Sequence, residues 1–174
     1  MTTVALSLGT NVGDRLANLE KGLHGLESRL RVTAVSKVYE TAPMYIETQA
    51  DFYNAAAIAE TDIGPLDLLR LVKGLEKELG RTASARFGPR EIDIDLISYG
   101  SVQYRFKFKS EEVLTLPHPR VLERRFVLEP LAEISPLLVL PGMGSVQDLL
   151  QSTDGQSKSV RVVSDALLPL LSGR

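Results

Sequence analysis

The sequence predicts an α+β domain built on a mainly antiparallel sheet. Segments with strand-like alternation and segments with a helical period follow one another irregularly, and one region is hairpin-like. A doubly wound parallel sheet would instead repeat strand and helix regularly. With 174 residues and a hydrophobic share of 44%, the chain is long enough to bury the core of one domain, taken here as residues 1–174.

"TVALSL" (3–8) alternates as a short strand ending at Gly9. Beyond "GTNVGD", Leu16, Leu19, Leu23, Leu26 and Leu30 recur at spacings of three and four, a helix with one buried stripe and Asp14 or Asn11 near its start. "RVTAVSKVYET" is β-rich, "DFYNAAAIAET" alternates as another strand, and "APMYIETQA" joins them as a loop. Pro65 opens a helix that ends at Gly80, with Leu69, Val72, Leu75, Glu76 and Leu79 setting its phase. In "EIDIDLISYG", Ile92, Ile94 and Leu96 share one face of a strand, and Glu91, Asp93 and Asp95 the other, continued by Ile97 and Tyr99. "VQYRFKFK" (102–109) reads as a solvated strand at a sheet edge, where lysines discourage edge pairing. "LTLPHPR" is extended and fixed by proline, and short helices are expected over 126–134 and 145–152, the latter opened by "SVQD" as a capping box. "STDGQSKS" joins a last strand, Val160 to Val163, to the body.

Composition excludes several classes. Cysteine is absent, which removes disulfides, thiolate metal sites and cysteine nucleophiles. A formal net charge of −2 gives no sign of a general nucleic-acid binder. "MTTVALSLGTN" does not read as a signal peptide, and no apolar run approaches the ~20 residues of a membrane helix, so a cytoplasmic location is expected.

The chemistry concentrates around Asp93 and Asp95. Two positions apart on a strand, their Cα atoms lie roughly 7 Å from each other. Their carboxylates can converge on one metal, or bridge two metals ~3.5–4 Å apart as phosphoryl-transfer sites require. Mg²⁺ suits such a site, being oxygen-seeking and retaining water and phosphate ligands. The other reading is a solvent-facing acidic strand paired with arginines. Arg81, Arg86, Arg90 and Arg124 offer forked donors for phosphate oxygens, and "GPR" fixes the backbone at Arg90. His118 sits between Pro117 and Pro119, held on a rigid loop. Phe52, Tyr53, Phe87 and Phe126 are core or flat-ring candidates, and Asn54, between apolar residues, must find partners for an amide that would complement the edge of a heterocyclic base. "GTNVGDR" lacks the Lys-Ser/Thr of a P-loop and the dinucleotide glycine spacing.

The stretches "SLGTNVGDR", "VYETAPM", "QADFYNAA", "LEKELGR", "RFGPREIDIDLISYG", "LTLPHPR" and "RRFVLEPLAEISP", from residue 7 to about 136, resemble the 6-hydroxymethyl-7,8-dihydropterin pyrophosphokinase family of folate biosynthesis. The resemblance implies a ferredoxin-like α+β fold and transfer of pyrophosphate from ATP to the pterin. It implies two Mg²⁺ ions on Asp93 and Asp95, and Arg81 and Arg90 as catalytic phosphate contacts. Lys73, Glu76, Arg86, Leu96, Thr115, His118 and Arg124 match ATP-binding positions. The pterin would stack between Phe52 and Phe126, bond to Asn54 and meet Thr41, Ala42 and Met44. The loop Thr82–Pro89 would close over ATP, bringing Arg86 in. Partners are small molecules only, with no nucleic acid, membrane or obligate protein partner.

The chain departs from the family pattern at Lys73, often glutamine, and at Ala83 and Val113, arginine in some members. Phe87 replaces a common tryptophan, and "YRFKFKSE" adds residues. These changes bear on ATP affinity rather than on the reaction. Two other classes remain open to test: a nucleic-acid-binding module on the same fold, which the acidic balance opposes, and a non-catalytic ATP or metal binder.

Overall fold

The computed structural model describes residues 1–44, 48–80, 89–109, 111–153 and 160–171. Arg81, Arg86, Phe87 and nearly all of the expected closing loop lie outside the described residues.

A mixed sheet-and-helix fold forms as the sequence predicts. Strand β1 (Thr2–Thr10) leads to helix α1 (Arg15–Glu27), then β2 (Arg31–Val35), β3 (Val38–Thr41) and β4 (Phe52–Thr61). Helix α2 (Pro65–Glu78) and strand β5 (Asp93–Tyr99) follow. The sheet order is β3-β4-β1-β5, with β2 also on β4 and every pair antiparallel. That is the strand order of the expected ferredoxin-like fold. A last strand, β10 (Val160–Ser164), adds to the outer side of β3, where Arg161 pairs with Glu40.

Two layers cover the sheet because its strands carry two kinds of face. On β1, Val4, Leu6 and Leu8 point to α1 and α2, meeting Leu19, Leu23, Leu68, Val72 and Leu75 in the larger core. Each fully buried leucine or valine contributes on the order of 1.5–3 kcal/mol. Ala5, Ala56, Ile58 and Ile97 instead meet Val127, Leu128 and Leu131 of α3 (Arg125–Ile134) and Val146 and Leu149 of α4 (Val146–Ser152). β4 is therefore covered on both sides, and Asn54–Ala59 are buried without the alternation expected of a half-solvated strand.

Three local readings are corrected. β1 does not end at Gly9, because Gly9 and Thr10 still pair with Asn54 and Tyr53. On β5, Leu96 pairs with Leu6 and Ser98 with Ala5, leaving Ile97 as the extra residue of a bulge. The bulge returns Tyr99 to the α1/α2 core, so it does not share the face of the aspartates. The strand with alternating lysines, β6 (Tyr104–Phe108), pairs with β7 (Glu111–Leu116) in a ribbon apart from the main sheet, with Tyr104 and Phe106 packed on the core.

Local capping follows sequence chemistry. Asp14 accepts from the Ala17 N–H at the start of α1, Pro65 opens α2, and Ser145 accepts from the Asp148 N–H to start α4. Short elements complete the described chain: a 3-10 turn (Val121–Glu123), the pair β8 (Val139–Leu140) and β9 (Gly144–Ser145), and α5 (Leu168–Leu171).

Candidate active site

Residues directly opposite on neighbouring antiparallel strands share a face. Asp93 lies opposite Gly9 and Asp95 opposite Ser7. On the other side of β1, Gly9 lies opposite Asn54, and further out Thr41 lies opposite Phe52. Carboxylates, an amide, a hydroxyl and an aromatic ring therefore converge over a floor of small side chains. A Cβ at Gly9 would stand 3.1 Å from Asn54 Oδ1, so the glycine keeps the amide edge uncovered. α3 roofs this face and brings Arg124 and Phe126, with the guanidinium 5.8 Å from the Phe126 ring centre.

Two adjoining cavities result. The first, of about 170 Å³, is lined by Ser7, Gly9, Thr41, Ala42, Met44, Gln49, Phe52, Asn54, Arg90, Asp93, Asp95, His118, Arg124 and Phe126. The second, of about 230 Å³, is lined by Leu69, Lys73, Asp95, Leu96, Val113, Leu114, Thr115, His118 and Pro119. Asp95 and His118 belong to both. Every described residue expected at the pterin borders the first cavity, and the described residues expected at the nucleotide divide between the two, except Glu76.

Glu76 lines neither cavity. It is 1% exposed and accepts from the Ile94 N–H at 2.6 Å and from Lys73 Nζ at 2.7 Å. Burial raises its pKa, with Lys73 opposing. It thus fixes β5 between the two aspartates. Lys73 also donates to the Ile94 carbonyl at 2.9 Å, and its ammonium stands 3.7 Å from Asp93 Oδ1 and 3.9 Å from Asp95 Oδ1. Arg90 pairs with Asp93, and Arg124 with Asp95 at 2.8 Å.

Burial favours the protonated form of Asp95, but Lys73 leads the neighbouring charges that outweigh it and hold its pKa below the ordinary value. Burial lowers the pKa of His118, more than Asp95 raises it. The His118 backbone N–H donates to the Ile97 carbonyl at 2.8 Å, tying the loop to β5. The Arg120 N–H approaches His118 Nδ1 at 3.2 Å, which leaves the proton of the neutral ring on Nε2.

The site fits the ligands the resemblance implies. Thr115 Oγ1 and Arg124 Nε are buried without a hydrogen-bond partner among the described residues, and both are expected nucleotide contacts. No group of three or more His, Asp or Glu side chains suited to a metal occurs among the described residues. Two carboxylates on one face, with the remaining positions left to water and phosphate, match Mg²⁺ rather than an all-protein metal cage.

Asn11 is a site residue that sequence reasoning missed. Its Oδ1 accepts from the Arg90 N–H at 2.9 Å, and its own N–H donates to the Arg90 carbonyl at 3.1 Å. Its Nδ2 donates to Gln49 Oε1 at 2.9 Å and the Ala50 carbonyl at 3.1 Å. One amide thus ties the first strand–helix turn to Arg90 and to the loop before β4. Its place in "GTNVGD" suggested a turn, whereas its partners are 38 to 79 residues away. Asn11→Ala is expected to cost about 1–3 kcal/mol of stability through groups left unpaired. An unchanged denaturant midpoint would show that the clamp carries no weight.

Residues 5–136 match the family described as 7,8-dihydro-6-hydroxymethylpterin-pyrophosphokinase (HPPK). A pyrophosphokinase from Aquifex aeolicus, named for 2-amino-4-hydroxy-6-hydroxymethyldihydropteridine, is 40% identical over 81% of this chain and 85% of that protein. The mitochondrial folate synthesis bifunctional protein of Pisum sativum is 44% identical over 75% of this chain, but the match spans only 25% of that longer protein. The fold is shared with a Plasmodium falciparum HPPK-DHPS crystal structure with pteroate, at TM-score 0.74 and 16% identity, covering 89% of this chain and 45% of that one. With the matched segment reaching from β1 to the end of α3, the chain belongs to the 7,8-dihydro-6-hydroxymethylpterin-pyrophosphokinase family.

Proposed function

We propose that the chain transfers the β,γ-pyrophosphate of ATP to the hydroxymethyl oxygen of 6-hydroxymethyl-7,8-dihydropterin. The observation that carries this is the pair of cavities meeting at Asp95 and His118. A flat ring with an amide edge suits the first, beside Phe52, Phe126, Asn54, Thr41, Ala42 and Met44. A nucleotide suits the second, beside Lys73, Leu96, Thr115 and His118, with its phosphates directed to Arg90 and Arg124. The pterin hydroxyl oxygen forms a bond to the β-phosphorus as the bridge to the α-phosphate breaks. AMP leaves with the bridging oxygen, and the hydroxyl proton is released.

Asp93 and Asp95 would hold Mg²⁺, two ions by resemblance, which when bound supplies charge neutralisation across the phosphates. The protein's part is positioning and electrostatic stabilisation, so no nucleophilic side chain is needed. Arg90 and Arg81 are assigned to phosphate contacts and Arg86 to the nucleotide. Glu76 is assigned to holding Lys73 and β5 in place. The reading takes residues 1–174 as one domain acting on small molecules in the cytoplasm. No helix among the described residues is long and apolar enough to cross a membrane.

The test is AMP release on incubation with Mg²⁺, ATP and the dihydropterin. Nucleotide binding without AMP would favour the non-catalytic alternative. Asn54 is 3% exposed and donates from Nδ2 to Thr41 Oγ1 at 2.9 Å. Asn54→Ala is expected to weaken pterin binding by roughly 1–3 kcal/mol and leave ATP binding nearly unchanged. Unaltered pterin affinity in a calorimetric titration would remove Asn54 from the pocket.

A further inference from the structure

We infer that Lys73 is a built-in countercharge for the aspartate pair, disfavouring divalent cation alone and making metal entry depend on the nucleotide triphosphate. This rests on reading Asp93 and Asp95 as the magnesium platform. Lys73 reaches toward that platform from α2, and its ammonium is within 4 Å of an oxygen of each aspartate. Two further contacts hold it there: Glu76 Oε1 at 2.7 Å and the Ile94 carbonyl at 2.9 Å. Ile94 lies between the two aspartates, so the lysine is bound to the backbone of the platform itself.

The electrostatic consequence follows from charge balance. Among the described residues, Glu76, Asp93 and Asp95 face Lys73, Arg90 and Arg124, with opposite charges in contact. A divalent cation arriving alone meets carboxylates already neutralised and an ammonium it repels at close range. A triphosphate arriving alone meets the same carboxylates. Together the two bring compensating charge, and Lys73, 37% exposed, can turn its ammonium from the aspartates toward phosphate oxygens. A neutral amide at this position could make the same bonds to Glu76 and Ile94 without repelling the metal. The lysine therefore sets the order of events rather than the identity of the ligands.

The experiment measures Mn²⁺ binding to the purified protein by electron paramagnetic resonance, with and without the non-transferable analogue α,β-methylene-ATP. Wild type is expected to bind Mn²⁺ much more tightly with the analogue than without it. Lys73→Gln, which keeps donors for Glu76 and the Ile94 carbonyl, should raise nucleotide-free Mn²⁺ affinity about tenfold or more. Its affinity with the analogue should change less. Lys73→Arg, which keeps the charge, should remain within about threefold of wild type. If Lys73→Gln matches wild type without nucleotide while Asp95→Asn weakens binding with it, the countercharge role is overturned and the platform stands. If Asp95→Asn leaves nucleotide-dependent Mn²⁺ binding intact, the platform is overturned and the inference with it.

Discussion

Asp93→Asn and Asp95→Asn are each expected to lower AMP release by roughly a thousandfold or more at saturating Mg²⁺, while the proteins stay folded. Asparagine retains the shape and one acceptor oxygen, so Arg90 and Arg124 keep hydrogen-bond partners. The stability change should be about 1 kcal/mol of either sign, as for partly exposed ion pairs. Turnover responds far more steeply, because each substitution removes an anionic ligand from ions that would offset the triphosphate charge. Each 1.4 kcal/mol of lost transition-state stabilisation costs about tenfold. Pterin affinity should change little, since the proposed ring contacts are Phe52, Asn54 and Phe126. The measurements are single-turnover AMP release and a thermal melt on the same preparations. Near-native turnover in the double variant would leave Asp93 and Asp95 as the arginine-paired acidic strand that the sequence also allowed.

That second reading was not idle. The structure pairs both aspartates with arginines, as that reading expects, and the proposed metal role would have to use the same carboxylates. What alternation in "EIDIDLISYG" made legible was the shared face of the carboxylates. It could not reveal the bulge at Ile97, because a bulge depends on where Leu6 and Ala5 pair across the strand. Local chemistry announced the starts of α1, α2 and α4, whose caps lie within a few residues of the helices they begin. The phase of α2 already placed Glu76 with the buried leucines. Its acceptor role toward the Ile94 N–H, 18 residues later, had no sequence signal. Asn11 was hidden for the same reason. The small residues Ser7 and Gly9, alternating with Leu6 and Leu8, did carry a signal for the cavity floor. A strand large on one face and small on the other leaves room for something on the small side.

Arg90→Ala is expected to reduce turnover by on the order of a thousandfold, the lower end of what a phosphate-facing arginine supplies in phosphoryl transfer. The local fold should survive. Asn11 holds residue 90 through its backbone N–H and carbonyl, and Thr10 Oγ1 adds a third contact to that carbonyl at 3.3 Å. None of these uses the guanidinium, so truncation leaves the loop in register and removes only the charged fork. Its present partner is Asp93, which would then face Lys73 at 3.7 Å without the arginine's competition. Mn²⁺ affinity should therefore hold or rise in this variant even as catalysis falls, a split that general collapse of the site would not produce. Arg90→Lys should recover part of the rate, since it restores charge but not the planar two-point contact. The decisive comparison is kcat against Mn²⁺ affinity for the two variants. Loss of both together in Arg90→Ala, with a lowered melting temperature, would make Arg90 a structural residue. Near-native kcat would remove it from the reaction.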